Sequence, residues 1–211
     1  QNVLNVPARG LSRYYHSGHF FFNTDLYLVP YYCWFKPEMA KKLIMYRVRS
    51  LEQARENAKK LGYKGVFWSE ESGPDGEPAG PTALNDYKNG VQFEEYTGRQ
   101  VKHLACDVVY SIHYYLEHVN DGSFMNSEVC SLIAEAARFY CDYLQIGDSG
   151  YYEMQGIMGI DEYHMLIDNS FYTMQMIEFL LKYAIREYEK NNELMHEAGV
   201  NDNEVEHWKK V

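Results

Sequence analysis

Apolar residues recur three or four positions apart along most of this chain, the spacing of helices that bury one face. "TDLYLVPYYCWF", residues 24–35, opens on a Thr/Asp capping signal, and Pro37 begins "PEMAKKLIMYRVRSLEQARENAKKLG", whose apolar stripe and closing Gly62 predict one or two helices. "YTGRQVKHLACDVVYSIHYYLEHV" ahead of Gly122, "NSEVCSLIAEAARFYCDYLQ" ahead of Gly147 and "SFYTMQMIEFLLKYAIREYEKN" predict helices of about 20 residues each. "NDNEVEHWKKV" predicts another, cut short. The pattern by itself gives an all-α class with helices adjacent in sequence. "WSEESGPDGEPAGPTALNDYKNG", residues 68–90, follows no helical period, and a loop of that length reads as functional more than connecting.

Composition narrows the function classes. With 211 residues and 46% hydrophobic content the chain can bury a substantial core. Twenty Lys and Arg against 30 Asp and Glu leave a net charge of −10, without a local basic patch, so nucleic acid and anionic membrane surfaces are poor partners and a neutral polar ligand a better one. No apolar run approaches the roughly 20 residues that span a bilayer. Cys33, Cys106, Cys130 and Cys141 form no CxxC and lie in apolar, helix-like stretches, which points to buried thiols in a reducing cytoplasm, with a Cys130–Cys141 bridge as the alternative. The start at Gln1, without a methionine, gives the expectation of a trimmed or excised piece.

The most pointed chemistry is in "GIMGIDEYHMLIDNSFYT", residues 156–173, where Asp161, Glu162, Tyr163 and His164 follow an apolar run from Met154 to Ile160. An apolar setting raises a carboxyl pKa, and the like charge of Asp161 beside Glu162 acts in the same direction. The plain alternative is a solvated turn capped by its acidic pair. Of the eight histidines, His103 lies four residues before Asp107 on one predicted helix, but Glu-x-x-His and HExxH patterns are both absent and no metal site is expected. Most of the 20 tyrosines are read as core, with Tyr163 the one placed in a site.

"PARGLSRYYHSGHFFFNTDLYLVPYY", "ARENAKKLGYKGVFW", "CDVVYSIHYYL", "EAARFYCDYL" and above all "GIDEYHMLIDNSFYT" resemble, in order from about residue 7 to about residue 182, the catalytic domain of glycoside hydrolase family 65. That family holds the inverting phosphorylases of maltose, kojibiose, nigerose and trehalose, with a minority of hydrolases. The resemblance implies an (α/α)6 barrel of which residues 1–211 hold about the first half. The family's N-terminal β-sandwich, its lysine-glutamine sugar motif and its phosphate-binding loops would lie outside this chain. It further implies an α-linked glucose disaccharide as substrate, inorganic phosphate as co-substrate, no cofactor, and a complementary polypeptide or a second copy covering the flank of half a ring.

Residue by residue, Glu162 matches the family's general acid, the glutamate of a DEYH-like motif. Such an acid delivers a proton to the bridging oxygen as an oxocarbenium-like state forms, so Glu162 is expected at the floor of a cleft made by its turn, the Phe22–Asp25 segment and the Trp68 loop. Tyr163 and His164 share its turn, and His164 is expected to orient the acid or touch substrate. Phe21, Phe22, Asn23, Thr24 and Asp25 stand where the family has Phe-Trp-Asp-Thr-Glu, whose tryptophan and aspartate line the subsite for the non-reducing glucose. Phe22, Asn23 and Asp25 are the expected sugar contacts of this segment: Phe22 can stack on a sugar, whereas Asn23 lacks the charged acceptors of an aspartate, and a helix cap at Asn23 or Thr24 is the competing reading. Trp68, with Glu70 or Glu71, resembles the family's Pro-Trp-Glu-Ser loop and is expected to line the pocket. Arg9 matches a family motif and is read as a structural salt bridge. Three functions stay open: an inverting phosphorylase or hydrolase, a carbohydrate-binding relative that has lost activity at Asn23, and a helical module whose aromatic surface meets a protein.

Overall fold

The computed structural model describes Val6, Pro7, His16 and residues 18–211; Arg9 lies outside them. A π-helical turn, Thr24–Leu28, runs directly into α1, Val29–Phe35. Next come α2, Pro37–Arg49, with proline in its first turn, and α3, Leu51–Lys60. The "PEMAKK" segment is therefore two helices divided at Ser50, and Gly62 closes the second at φ +87°, a left-handed stop that suits glycine.

The long loop is not irregular throughout. It contains the antiparallel hairpin β1–β2, Ala83–Asp86 and Val91–Glu94, joined through Asn89-Gly90 with Gly90 at φ +67°. A short α4, Thr97–Gln100, leads to α5, Leu104–His118, and then to α6, Ser127–Tyr143, whose first turn is capped by Asn126 Oδ1 accepting the Val129 N–H at 3.0 Å. A two-residue ladder, β3 and β4 (Gln145–Ile146 and Tyr152–Glu153), precedes α7, Phe171–Lys190; α8, Asn192–Glu197, and α9, Asp202–Trp208, complete the described elements. The all-α expectation is thus refined by two small hairpins within a helical fold.

Helix α5 is the hub. Leu104, Cys106, Val108, Val109 and Ile112 are fully buried, and the helix packs on α1, α2, α6 and α7. Apolar burial on this scale is the main source of stability. The turn that follows α3 meets α6 closely enough to exclude a side chain: a Cβ on Gly65 would lie 2.1 Å from the Glu135 carbonyl oxygen. All four cysteines are free thiols, so the Cys130–Cys141 bridge is not formed; Cys130 Sγ lies 3.6 Å from Met125 Sδ. No described helix is long and apolar enough to cross a membrane. One aromatic face stays uncovered, where Tyr27, Tyr31, Trp34 and Phe35 on the π turn and α1 are exposed.

Candidate active site

Four segments remote in sequence meet at one end of α5. Phe20 and Ser72 exchange two backbone hydrogen bonds of 2.9 Å, which joins the start of the π turn to the Trp68 segment. Ser69 donates its hydroxyl to the Gly98 carbonyl at 3.2 Å, bringing α4 to the same place. The Met158 N–H donates to the Gln100 carbonyl at 3.0 Å and attaches the loop that contains Glu162.

That loop is pinned at its base. Ile157 and Ile167 exchange backbone bonds of 3.0 and 2.9 Å, Asp168 accepts the Gly156 N–H at 2.9 Å, and Asn169 Oδ1 accepts the Met154 N–H at 2.8 Å. At its tip Asp161 accepts the Tyr163 N–H at 2.9 Å and holds His164 Nδ1 through both oxygens, at 2.9 and 2.8 Å. These bonds hold the Asp161 carboxyl below its ordinary value, with the His164 bond the largest cause. Asp161 is thereby the turn former, and His164 is its partner. Glu162 has no hydrogen bond among the described residues.

Several expected positions need correction. Glu162 is exposed on the rim, and does not sit on the floor of a cleft; the apolar setting formed by Met154, Ile157 and Met158 ends before it, since Ile160 already faces solvent. Tyr163 is exposed as well. Trp68 is wholly buried and donates its indole N–H to Ser50 Oγ at 2.9 Å, so it offers no face to a sugar: an indole buried with its N–H satisfied is a core anchor. Asp25 is likewise interior. Its Oδ2 accepts Arg47 Nη2 at 2.6 Å and Nε at 3.2 Å, and Arg47 lies against the Tyr46 and Trp68 rings. Burial raises the Asp25 carboxyl, against the opposing pull of Arg47.

Phe22 and Asn23 are half-buried at the convergence, and Phe22 meets His103 edge-on at 5.1 Å. Asn23 makes no capping hydrogen bond, and Thr24 instead donates its hydroxyl to the Val6 carbonyl at 3.1 Å, so the capping alternative is not what the structure shows.

Glu70 is a further carboxyl here in a strongly perturbed environment. It is 7% exposed, and burial, followed by the nearby charge of Glu162, pushes it up to about 7. Its neighbour Glu71 is occupied, holding His19 Nδ1 at 2.7 Å and His16 Nδ1 at 3.2 Å. An exposed, unengaged carboxyl thus acts through its charge on a buried one that is raised toward neutrality, a combination suited to proton transfer beside a polar ligand.

One part of the site escaped the sequence reading. His103 Nδ1 lies 2.5 Å from Asp107 Oδ2, Tyr172 donates to Asp107 Oδ1 at 2.9 Å, and the His103 and Tyr172 rings meet edge-on at 5.2 Å. The i, i+4 spacing of His103 and Asp107 is the one local signal of this cluster in the sequence.

All 211 residues match the model of the glycosyl hydrolase family 65 central catalytic domain. The chain is 34% identical over 200 residues to nigerose phosphorylase of Lachnoclostridium phytofermentans, covering 90% of this chain and 26% of that protein. It is 32% identical over 219 residues to kojibiose phosphorylase of Caldanaerobacter subterraneus subsp. tengcongensis (99% and 28% covered), and 31% identical over 227 residues to α,α-trehalose phosphorylase of Thermoanaerobacter brockii (98% and 26% covered). A solved structure assigned to a kojibiose phosphorylase from human microbiome superposes over 97% of this chain and 26% of that one, with a TM-score of 0.83 at 23% identity. The chain thus spans about a quarter of the length of the curated relatives it matches.

Proposed function

Because the chain belongs to glycosyl hydrolase family 65, we propose that it carries the general acid of a disaccharide phosphorylase. Glu162 gives its proton to the bridging oxygen of an α-linked glucose disaccharide, the second sugar departs as a neutral alcohol, and inorganic phosphate attacks the anomeric carbon from the opposite face. Attack from that face inverts the centre and yields β-glucose 1-phosphate. The observation that carries this reading is the turn itself: Asp161 is engaged by His164 Nδ1 at 2.8 Å, leaving Glu162 unengaged at the rim, within the charge range of Glu70. Relatives named as phosphorylases of nigerose, kojibiose and trehalose support the substrate class.

In this reading phosphate is held by residues outside the chain, and Phe22 and Asn23 border the glucosyl group. Asn23 brings neutral hydrogen bonds where an aspartate would bring charged ones, which weakens the hold on glucose. The exposed aromatic face of the π turn and α1 is where we place the remainder of the barrel, a complementary polypeptide or a second copy, because exposed apolar patches favour association. The four thiols fit a reducing cytoplasm.

A second reading has one observation in its favour. Glu70 is a second carboxyl beside Glu162, the kind of group that activates water in an inverting hydrolase. Anomer-resolved NMR of the products of the full-length protein separates the two. Phosphorolysis predicts β-glucose 1-phosphate and a rate that depends on phosphate, whereas free glucose released at a rate indifferent to phosphate would refute it.

A further inference from the structure

The loop that carries Glu162 leaves the core and soon returns to it, and the return is made on unusual backbone. Leu166 and Asn169 both have left-handed φ, +56° and +50°. For leucine that conformation is strained, and the side chain is exposed, so no core contact compensates for it. Strain of this kind persists where surrounding bonds over-determine the backbone, and it collects at functional sites.

The bonds that impose it form a clasp. Asn169 grips Met154 twice: its N–H donates to the Met154 carbonyl at 2.8 Å, and its Oδ1 accepts the Met154 N–H at 2.8 Å. Asp168 Oδ1 accepts the Gly156 N–H at 2.9 Å, and the Ile157–Ile167 pair adds the next rung. Met154, Ile157 and Met158 are buried, so the outgoing arm belongs to the core, while the returning arm runs through Ser170 into α7. The arms also press together: a Cβ on Gly159 would lie 3.1 Å from Ser170 Oγ and 3.3 Å from Ile167 Cδ1. Beyond the clasp every residue from Ile160 to Leu166 is exposed, Glu162 among them.

We propose that Asn169, assisted by Asp168, is a positioning residue for Glu162: the clasp fixes the base of the loop and thereby the place of the carboxyl at its tip. This rests on the reading of Glu162 as the acid. Asparagine meets both demands of its position, since it tolerates left-handed backbone and its short side chain carries an acceptor to the Met154 N–H. Glu162 has no hydrogen bond of its own among the described residues, so its placement is inherited from the loop. An acid displaced by about 1 Å loses up to about 10²-fold in rate.

The test compares two glucosyl donors in the full-length protein, with inorganic phosphate as nucleophile for both. In an α-linked glucose disaccharide the leaving sugar needs a proton; in α-glucosyl fluoride the C–F bond breaks to release fluoride as an anion, and no proton donor is required. In each case a phosphate oxygen supplies the electron pair for the new bond to the anomeric carbon. Asn169→Gly keeps the left-handed backbone and removes the acceptor. It is expected to lower kcat on the disaccharide by about 10–10²-fold, with Kd and the rate on the fluoride both within about twofold of wild type. Asn169→Asp, which supplies an acceptor oxygen again, is expected to recover most of the loss. Equal losses on the two donors, or no loss on the disaccharide, would overturn the proposal. If Asn169→Gly does not fold, Asp168→Ala is read in the same way: a smaller loss confined to the disaccharide supports the proposal, and an equal or absent loss overturns it. Glu162→Gln separates the two readings. A loss on both donors there sinks Glu162 as the acid and the proposal with it, whereas selectivity in Glu162→Gln without selectivity in Asn169→Gly removes the proposal alone.

Discussion

Asp161 holds His164 through both carboxylate oxygens, at 2.9 and 2.8 Å, so that of the two adjacent acids in this turn only Glu162 is left unengaged. The two carboxylates are adjacent in sequence and opposite in role. Asp161, its pKa lowered by His164, shapes the turn, and Glu162 projects from the rim toward the electrostatic range of Glu70.

Asp25 and Arg47 form a buried ion pair at 2.6 Å that fastens the π turn to α2. Asp25→Ala leaves Arg47 charged and unpaired in the core, and is expected to cost about 3–5 kcal/mol. Replacing both partners with apolar residues of similar volume should return most of that loss. Urea unfolding of the single and double variants measures it; a single variant as stable as wild type would return Asp25 to the list of sugar contacts.

Trp68 should behave as a core residue. Trp68→Ala removes a fully buried indole and its bond to Ser50, at an expected cost of about 3–5 kcal/mol. Below the variant's melting temperature KM for the disaccharide should stay within about twofold of wild type, a change of under 0.5 kcal/mol. A tenfold rise in KM with unchanged stability would place Trp68 in the sugar pocket after all.

Glu70 sets a pH dependence of stability. Burial pushes its folded pKa up to about 7, above the ordinary glutamate value of 4.5, so between those values the folded state holds a proton that the unfolded state has lost. Stability attributable to Glu70 is therefore highest below about 4.5, falls as pH rises to about 7, and is level beyond. Denaturant midpoints measured across that window should fall less steeply in Glu70→Gln than in wild type, and parallel curves would show that Glu70 is solvated.

The helices were legible because an apolar stripe is local information: Pro37, Gly62 and Asn126 mark boundaries that the folded chain uses. The β1–β2 hairpin was legible in principle, since Asn89-Gly90 ahead of the alternating Val91–Glu94 is a strong hairpin signal, but the surrounding Gly and Pro residues hid it. The site was legible only in part. The Glu162 turn is contiguous, so its motif could be read directly. Trp68 in a loop resembles a ligand platform until its partner Ser50 is seen, and the Glu70–Glu162 and His103–Tyr172 relationships join segments that no periodicity connects.

The central claim is that Glu162, and not Asp161, is the acid. In the full-length protein Glu162→Gln keeps the shape of the side chain and removes its proton, and general acid catalysis is worth about 10²–10⁴-fold. The decisive measurement is kcat for phosphorolysis, with substrate Kd taken by calorimetry, in Glu162→Gln and Asp161→Asn side by side. The account predicts a loss of about 10²–10⁴-fold in kcat with Kd preserved for Glu162→Gln, and a smaller loss for Asp161→Asn, whose turn bond to Tyr163 an amide oxygen can still accept. Equal losses in the two variants, or full turnover in Glu162→Gln, would contradict it.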